Sequence, residues 1–377
     1  MVQWLGPQSV AYVPVVPIND NRFGAPSDFK ELVIQRLLFN PDANSVDRSL
    51  RAYLFSVSYG RAMLQPTVFD TVTVPDPEPI GLGQASGEAI SIALANSPAF
   101  SNACAVFSYN PGYWWPDYAF WGNSNPIPGT NVYNFCYDFI ESEVGAWAME
   151  HTHMLTYFGD LYKTTDADPG AFDNMSCACG VHPSTFTKLK LGWLDPSEIV
   201  DVSTGSQVTQ TLHALALPRP SPPGRCTALR VPTGDPQHYL LVEARLRTDP
   251  FDAGIPSEGV VVYEVNEAIW APLHLRTPTA LGVSESFNDP AFQGFWVTVD
   301  SAVTGGFTVH ILFSEDPRCA TDRAEISAIR NEIGVLVAEL RDDLTLQERT
   351  AILAKIRALQ AELTNLQADL ASLGCAL

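Results

Sequence analysis

The sequence is poor in basic residues and contains no long apolar run. Its 22 Lys and Arg stand against 42 Asp and Glu, which gives a formal net charge of −20. Because the phosphates of nucleic acid need a positive protein face, this balance predicts that the chain binds no nucleic acid. No apolar run reaches the ~18 residues that a bilayer requires, so we also predict no membrane span.

No CxxC pair occurs among the seven cysteines, and Cys177 and Cys179 are too close in sequence for a zinc ribbon. The cysteines lie near turns, which suits the disulfides of an extracellular protein better than the buried thiols of a cytosolic one. An odd number leaves at least one cysteine unpaired or shared between chains. The N-terminal residues lack the basic and apolar segments of a signal peptide. We predict an extracellular or secreted protein, and leave open a trimmed signal, another export route and an internal location.

Three regions of the chain differ in sequence texture. Residues 1–200 alternate short apolar runs with turns and include three helical patterns, at 27–39, 86–100 and 145–162. The predicted N-caps are Ser27 or Asp28 for the first helix, with Pro41 as its stop, and Ser86 for the second. Residues 201–316 hold short runs rich in Val, Tyr and Phe between Pro, Gly and Asp turns, which predicts a small β-sandwich.

Residues 317–377 carry a heptad pattern in two segments. Apolar residues recur at alternating steps of three and four over 326–340 and again over 352–373, which is typical of packed helices. Thr345 and Glu348 form a predicted capping box at the start of the second helix. The short break between the helices favours an antiparallel hairpin or coiled coil.

The hairpin would bring its two ends together. Cys319 and Cys375 lie near those ends, so we predict a disulfide between them, with two unpaired thiols as the alternative. Exposed heptad faces rarely stay uncovered. We therefore expect a protein partner, or self-assembly, through this hairpin.

A potential catalytic helix lies within residues 145–162, GAWAMEHTHMLTYFGDLY. Zinc hydrolases place HExxH on a helix because residues i and i+4 share one face, where two His bind zinc and the Glu activates a water. Here the three positions hold Met149, Glu150 and His153. His151 lies on a different helix face from His153, so no second pair replaces the first. A thioether is a poor ligand for Zn²⁺, so we expect zinc binding to be weak or absent.

This segment resembles the active-site helix of the M6 (immune inhibitor A-like) secreted metallopeptidases, whose pattern is approximately W-A-H-E-x-x-H-x-L-T-x-F-x-D-L-Y. The matching residues are Trp147, Ala148, Glu150, His153, Leu155, Thr156, Phe158, Asp160, Leu161 and Tyr162. The stretch HPSTFTKLKLGWL at 182–194 is similar to a second motif that is quite specific to this family. The resemblance covers about residues 25–315 and leaves the C-terminal hairpin outside.

The resemblance implies a zincin-like fold and a role for each matching residue. It makes Glu150 the ancestral general base, His153 a zinc ligand, and Asp160 the third ligand or its close neighbour. Met175 then corresponds to the Met-turn beneath the metal. Met149 departs from the pattern at the first histidine, which places both zinc binding and catalysis in doubt.

Four carboxylates lie in one loop rich in Gly and Pro: Asp160, Asp166, Asp168 and Asp173. Oxygen ligands at this density are typical of calcium sites. We therefore regard Asp166, Asp168 and Asp173 as a candidate calcium site, with a solvated acidic loop as the alternative.

The sequence predicts an α+β protein with a zincin-like metallopeptidase domain at 1–200, a β-sandwich-like domain at 201–316 and a helical hairpin at 317–377. The favoured function is that of a pseudopeptidase, catalytically inactive or weak, that serves in binding or assembly. One alternative is an active zinc metalloendopeptidase in which His182 or Glu143 supplies the missing ligand, although His182 also fits as the anchor of a turn. The other alternative is a structural extracellular or virion-associated protein.

Overall fold

The computed structural model describes residues 2–18, 20, 22, 25–77, 81–95, 97, 99–109, 117–120, 122–162, 167–203, 207–219, 221–289, 292, 295–313, 317–340 and 345–372. Within these residues the chain is a mixed α+β protein with three sheets and a C-terminal pair of helices. The predicted fold class is confirmed at this level.

In the described residues before 199, a six-stranded sheet and six α-helices form the N-terminal part of the chain. The strands are β1 (Gly6–Pro17), β2 (Ala62–Val68), β3 (Val72–Val74), β4 (Asn102–Phe107), β5 (Tyr118–Phe120) and β6 (Asn134–Phe139). The helices are α1 (Pro26–Leu38), α2 (Leu50–Val57), α3 (Leu82–Leu94), α4 (Val144–Thr156), α5 (Asn174–Cys177) and α6 (Thr185–Leu191). The strand order is β2-β1-β4-β6-β5, with β3 also paired to β1. Every pairing is parallel except that of β5 with β6.

Helices cover both faces of this sheet. Successive residues of a strand point to opposite faces, and β1 follows this rule. Val10 and Tyr12 lie in a core cluster with residues of α1, α2 and α4, while Ala11 and Val13 lie in a second cluster with residues of α3. Parallel strands that are buried on both faces read as continuous apolar runs, as AYVPVVP does here.

Two predicted helices exist but begin earlier than expected. The first, α1, starts after Ala25 with Pro26 at its first position, where the missing N–H of proline costs nothing. Ser27 and Asp28 therefore lie inside the helix. Helix α3 starts after Gly81, and Ser86 is an interior residue whose hydroxyl donates to the Leu82 carbonyl. Both N-cap predictions were wrong because the side chains chosen as caps bond within the first turns instead.

Ten strands follow and form two five-stranded sheets. The strands are β7 (Ile199–Asp201), β8 (Gln207–His213), β9 (Arg225–Cys226), β10 (Ala228–Asp235), β11 (His238–Arg245), β12 (Gly259–Asn266), β13 (Leu273–Leu275), β14 (Ser286–Asp289), β15 (Phe295–Val303) and β16 (Gly306–Phe313). One sheet has the order β13-β12-β11-β10-β7 and the other the order β14-β15-β16-β8-β9. Leu240 and Val242 of the first sheet share a buried cluster with Val297 and Val309 of the second.

The first of these sheets also packs against the N-terminal part of the chain. Leu241 and Tyr263 lie on its other face, in the same core cluster as Trp147 of α4 and Tyr12 of β1. The sheet is thus buried on both sides, and a single apolar core crosses the predicted boundary near residue 200.

The C-terminal region is a pair of packed helices, α7 (Pro317–Glu339) and α8 (Leu346–Ser372). The predicted capping box is present, since Thr345 N donates to Glu348 Oε2 (2.9 Å) and Glu348 N donates to Thr345 Oγ1 (3.3 Å). Cys319 falls inside α7 rather than before it, and Cys375 lies outside the described residues, so their disulfide stays a prediction. No helix in the described part of the chain is long and apolar enough to cross a bilayer.

Candidate functional site

Helix α4 is held in place by a close backbone contact at its first turn. A Cβ atom on Gly145 would lie 2.0 Å from Gly180 N, so no larger residue fits there. The Asn174 side chain fixes this contact by donating to Gly145 O (2.9 Å) and accepting from Gly180 N (2.8 Å). Trp147 Nε1 donates to the Phe139 carbonyl of β6 at 3.0 Å. The sequence Gly-Ala-Trp therefore positions α4 against both the sheet and the segment after α5.

A cavity of about 320 Å³ opens beside α4. Met149, Glu150 and His153 line it from the helix, and Asp160 lines it from the segment that follows. Strand β5 and residues 176–178 contribute further walls. The structure thus brings together the four residues of the degenerate zinc motif.

His153 and Asp160 contact each other directly. His153 Nδ1 lies 2.5 Å from the Phe158 carbonyl oxygen, which can only accept, so this nitrogen carries a proton. His153 Nε2 lies 2.9 Å from Asp160 Oδ1, an ion-pair distance. That oxygen is buried and accepts no aligned hydrogen bond. The two atoms are closer than the roughly 3.3 Å that separates nitrogen and oxygen ligands on a tetrahedral zinc with ordinary bond lengths.

Glu150 lies on the cavity wall and is only 7% exposed. Burial raises the pKa of its carboxyl well above the usual value, and the carboxylates of Asp138, Asp117 and Asp160 raise it further. Both causes favour the neutral form of this carboxyl over the charged form.

The residues present do not fit a catalytic zinc ion. Met149 is 3% exposed and offers the cavity only a thioether. Among the described residues, neither His153 nor Asp160 belongs to any group of three or more His, Cys, Asp or Glu ligand atoms lying within 4.8 Å of one another. Catalytic zinc sites in proteins use three protein ligands, and in the described part of the chain only His153 and Asp160 converge.

The replacement ligands considered from the sequence, His182 and Glu143, do not line the cavity. His182 is buried, with Nδ1 3.0 Å from Lys188 Nζ and Nε2 3.3 Å from Asp249 Oδ1. Its backbone N–H donates to Asp252 at 2.9 Å, so the residue anchors its turn. Glu143 is the N-cap residue of α4.

The segment assigned to the Met-turn lies against the cavity. Met175 in α5 is 1% exposed and shares a core cluster with Met149. Residues 176–178 line the cavity. Cys177 and Cys179 form a disulfide there, a pairing that the sequence had left open.

The acidic loop divides into residues with different surroundings. Asp173 is fully buried, and its carboxylate accepts hydrogen bonds from Met175 N, Ser184 N and Thr187 Oγ1 at 2.8, 2.8 and 2.6 Å. It therefore serves as a structural cap. Asp166 lies outside the described residues. Asp168 belongs to no group of three potential ligands in the described part of the chain, and the calcium site stays a prediction.

A second group of reactive side chains lies on the sheet side of α4. Cys104 of β4, Cys136 and Asp138 of β6 and His151 of α4 are all buried, and their ligand atoms lie within 4.8 Å of one another. The sequence analysis missed this group because its members come from two strands and a helix. The one signal available was His151, which the helix places on a different face from His153.

The chain matches no model of a known protein family, and no curated protein sequence matches it.

Proposed function

We propose that the chain is a zincin-like pseudopeptidase related to the M6 metallopeptidases, extracellular, and adapted to hold a peptide segment of a partner protein without cutting it. The observation that carries this proposal is Met149 on the cavity wall, at the position where the motif requires the first zinc-binding histidine. The direct contact between His153 Nε2 and Asp160 Oδ1 at 2.9 Å supports it, because the two side chains engage each other where the motif would place a metal ion between them.

The edge strand β5 supports peptide binding. Among the described strands only β6 pairs with it, so within the described part of the chain no strand covers its other side. An extended peptide adds to such an edge as a further strand, with its side chains entering neighbouring pockets. Tyr118 and Ala119 of β5 line the cavity. A peptide bound along β5 would have its backbone beside Glu150 and His153.

The surroundings of the cavity favour a peptide with basic and apolar side chains. The carboxyl groups of Asp117 and Asp160 give the cavity an acidic lining. Tyr118 and Tyr162 line it with side chains that are 49% and 46% exposed. Aromatic rings bind apolar groups and cations on their faces. The net charge of −20 adds attraction at a distance for a basic partner.

An active zinc metalloendopeptidase is the second candidate, and one observation favours it. Asp160 Oδ1 is buried and makes no aligned hydrogen bond, although His153 Nε2 lies 2.9 Å away, which is unusual for a carboxylate oxygen. A cation bound beside it would satisfy that oxygen. Two protein ligands are too few for the chemistry of the family, so we rank this candidate below the first.

Replacing Met149 by His tests the proposal. The variant restores the i and i+4 pair with His153, so we expect it to bind one zinc more than the wild-type chain, and to gain measurable cleavage of casein. The double variant Met149→His with His153→Ala should lose this additional zinc, and Met149→Leu should bind no more than wild type. Zinc content is measured by elemental mass spectrometry after dialysis.

Cleavage of casein by the wild-type chain would contradict the proposal if it requires zinc and is abolished by His153→Ala. Binding is tested separately with a library of short peptides. We expect peptides with Lys or Arg beside an apolar residue to bind, and Asp160→Asn to weaken the binding of the basic ones. Equal binding of acidic and basic peptides would exclude the assigned peptide class.

A further inference from the structure

The buried group behind α4 has the composition of a transition-metal site. Two thiols, one carboxyl and one imidazole converge, and the atoms that could bind a metal all lie within 4.8 Å of one another. Cysteine thiolate, imidazole and carboxylate are all ligands that zinc uses in proteins, and structural zinc sites are tetrahedral. We propose that Cys104, Cys136, Asp138 and His151 bind one structural Zn²⁺ ion.

The fold itself assembles these ligands. Cys104 and Cys136 are register partners on the adjacent parallel strands β4 and β6, so their side chains leave the sheet side by side. Asp138 is two residues after Cys136 and therefore points to the same face. His151 approaches this face from α4, with its side chain fully buried. Two strands and one helix thus supply the ligands, and the ion would tie the helix to the sheet.

The distances suit a tetrahedral ion. Asp138 Oδ2 lies 3.1 Å from Cys104 Sγ, 3.9 Å from Cys136 Sγ and 3.8 Å from His151 Nδ1. Ligand atoms on a tetrahedral zinc are roughly 3.3 to 3.8 Å apart, given bonds of about 2.3 Å to sulfur and about 2.0 Å to nitrogen and oxygen. Shifts of a few tenths of an ångström would bring the three measured distances into that range.

Asp138 provides an independent sign of a missing partner. Its side chain is completely buried, and Oδ1 has no hydrogen-bond partner in the described structure. Buried carboxylate oxygens are nearly always satisfied, so an orphan beside two thiols fits a partner, an ion or a water, that the protein chain does not supply.

His151 already has the second contact that a metal-binding histidine needs. Its Nδ1 lies 2.6 Å from the Trp147 carbonyl and its Nε2 lies 2.7 Å from the Tyr12 hydroxyl. To bind zinc, Nδ1 gives up its bond to the Trp147 carbonyl and turns toward the ion, and the imidazole proton then lies on Nε2, which donates to Tyr12 Oη. Each thiol releases its proton to solvent when its sulfur binds the ion.

This site is separate from the cavity, so the two can be tested apart. The full-length chain is purified under reducing conditions and its zinc is counted, alongside Cys104→Ser, Cys136→Ser, His153→Ala and the control Cys226→Ser. Cys226 is the remaining buried free thiol among the described residues and lies in another sheet. We expect one zinc per chain in wild type, His153→Ala and Cys226→Ser, and at least a tenfold lower content in the two other cysteine variants.

Spectroscopy identifies the ligands directly. X-ray absorption of the zinc-loaded chain should show two sulfur neighbours at about 2.3 Å. Cobalt substitution should give a sulfur-to-cobalt charge-transfer band that is absent in Cys104→Ser. Tyr12→Phe keeps all four ligands and should weaken zinc binding by about 10- to 100-fold, as loss of a contact to a ligand does. If the serine variants fail to fold, Asp138→Asn and Tyr12→Phe carry the same test.

Three results would overturn the inference. The first is a wild-type chain that contains no zinc and takes up none from added zinc. The second is a Cys104–Cys136 disulfide in the native chain, detected by mass spectrometry without reduction. The third is zinc that is lost in His153→Ala and kept in Cys104→Ser, which would also contradict the proposed loss of zinc from the cavity.

Discussion

Single residues determine whether α4 can reach its position. Gly145 is required because the backbone of Gly180 occupies the place of a side chain, at 2.0 Å from the ideal Cβ. The conflict is with backbone, which cannot rotate away as a flexible side chain can. Gly87 offers a matched comparison, since it also lies in a helix but has open space where its Cβ would be.

Gly145→Ala should lower the free energy of unfolding by about 3 kcal/mol or more, because overpacking forces the first turn of α4 away from residues 174–180. Gly87→Ala should instead raise it, by roughly 0.5–1 kcal/mol, through better helix propensity. Urea unfolding of both variants provides the measurement. A Gly145→Ala chain as stable as wild type would show that the close approach is wrong.

A second effect of a single residue is the pH dependence that Asp117 gives to the stability of the fold. Burial raises the pKa of Asp117 from 3.8 to about 6, although its Oδ1 accepts from Phe139 N and Ser142 Oγ at 2.9 Å. A carboxyl whose pKa is raised by folding stabilises the folded state below its unfolded pKa. That contribution is lost as the pH rises through the folded pKa.

Asp117→Asn should therefore stabilise the chain at pH 7.5 by up to roughly 3 kcal/mol and have little effect near pH 4, since the amide mimics the protonated acid. Asp42 is the control, because its pKa is shifted in the opposite direction. Hydrogen bonds to its carboxylate, of which the bond from Val46 N has the largest effect, lower this pKa. Asp42→Asn should cost stability at pH 7.5 and less in acid. Urea unfolding at both pH values tests the pair, and a pH-independent effect of Asp117→Asn would contradict it.

At the scale of elements, the C-terminal helices form a unit of their own. We call residues 2–313 the body of the molecule. Four buried residues of the two helices belong to none of the three core clusters of the body: Ile326, Ile329, Leu336 and Ile356. Val335 and Leu353 remain 58% and 41% exposed. Apolar side chains left uncovered on a helical pair favour contact with a further protein surface.

Removal of residues 317–377 should therefore leave the body folded and lower the order of its assembly. Light scattering measures the mass of the particle, and near-ultraviolet circular dichroism reports the packing of the body. As a control, Thr345→Ala removes the cap of α8, costs about 1 kcal/mol locally and should leave the assembly intact. Unfolding of the truncated chain would show that the helices belong to the body.

The helices and strands differ in how well the sequence predicts them. The heptads of α7 and α8 and the segment around His153 were recognisable because their information lies within a few turns of one helix. The pairing of Cys104 with Cys136 could not be recognised from the sequence. These residues are 32 positions apart, and only the register of β4 with β6 brings them together. Helix α2 was missed, and the parallel order of the first sheet was not predicted, since both depend on distant partners.

For the whole molecule, the important feature is the sheet that is shared between the N-terminal part and the sandwich. Leu241 of β11 faces the core around α4, while the adjacent Leu240 faces the second sheet of the sandwich. A change at either position should destabilise both parts, because the shared sheet couples their unfolding.

Leu241→Ala should lower the free energy of unfolding by about 2–5 kcal/mol, as deletion of a buried leucine does. Hydrogen exchange should then show equal losses of protection in peptides from α4 and from β15, because both open only in global unfolding. Leu240→Ala should give the same pattern. A loss confined to one part would show that the parts unfold independently.

The two sides of α4 make different contacts. His151 and Trp147 attach the helix to Tyr12 and Phe139 of the sheet, whereas Met149, Glu150 and His153 face the cavity. Because the attachment does not involve the cavity residues, selection can alter the latter without shifting the helix. A helix attached in this way keeps its position when the side chains that face the cavity are exchanged, so the shape of the groove beside it is preserved.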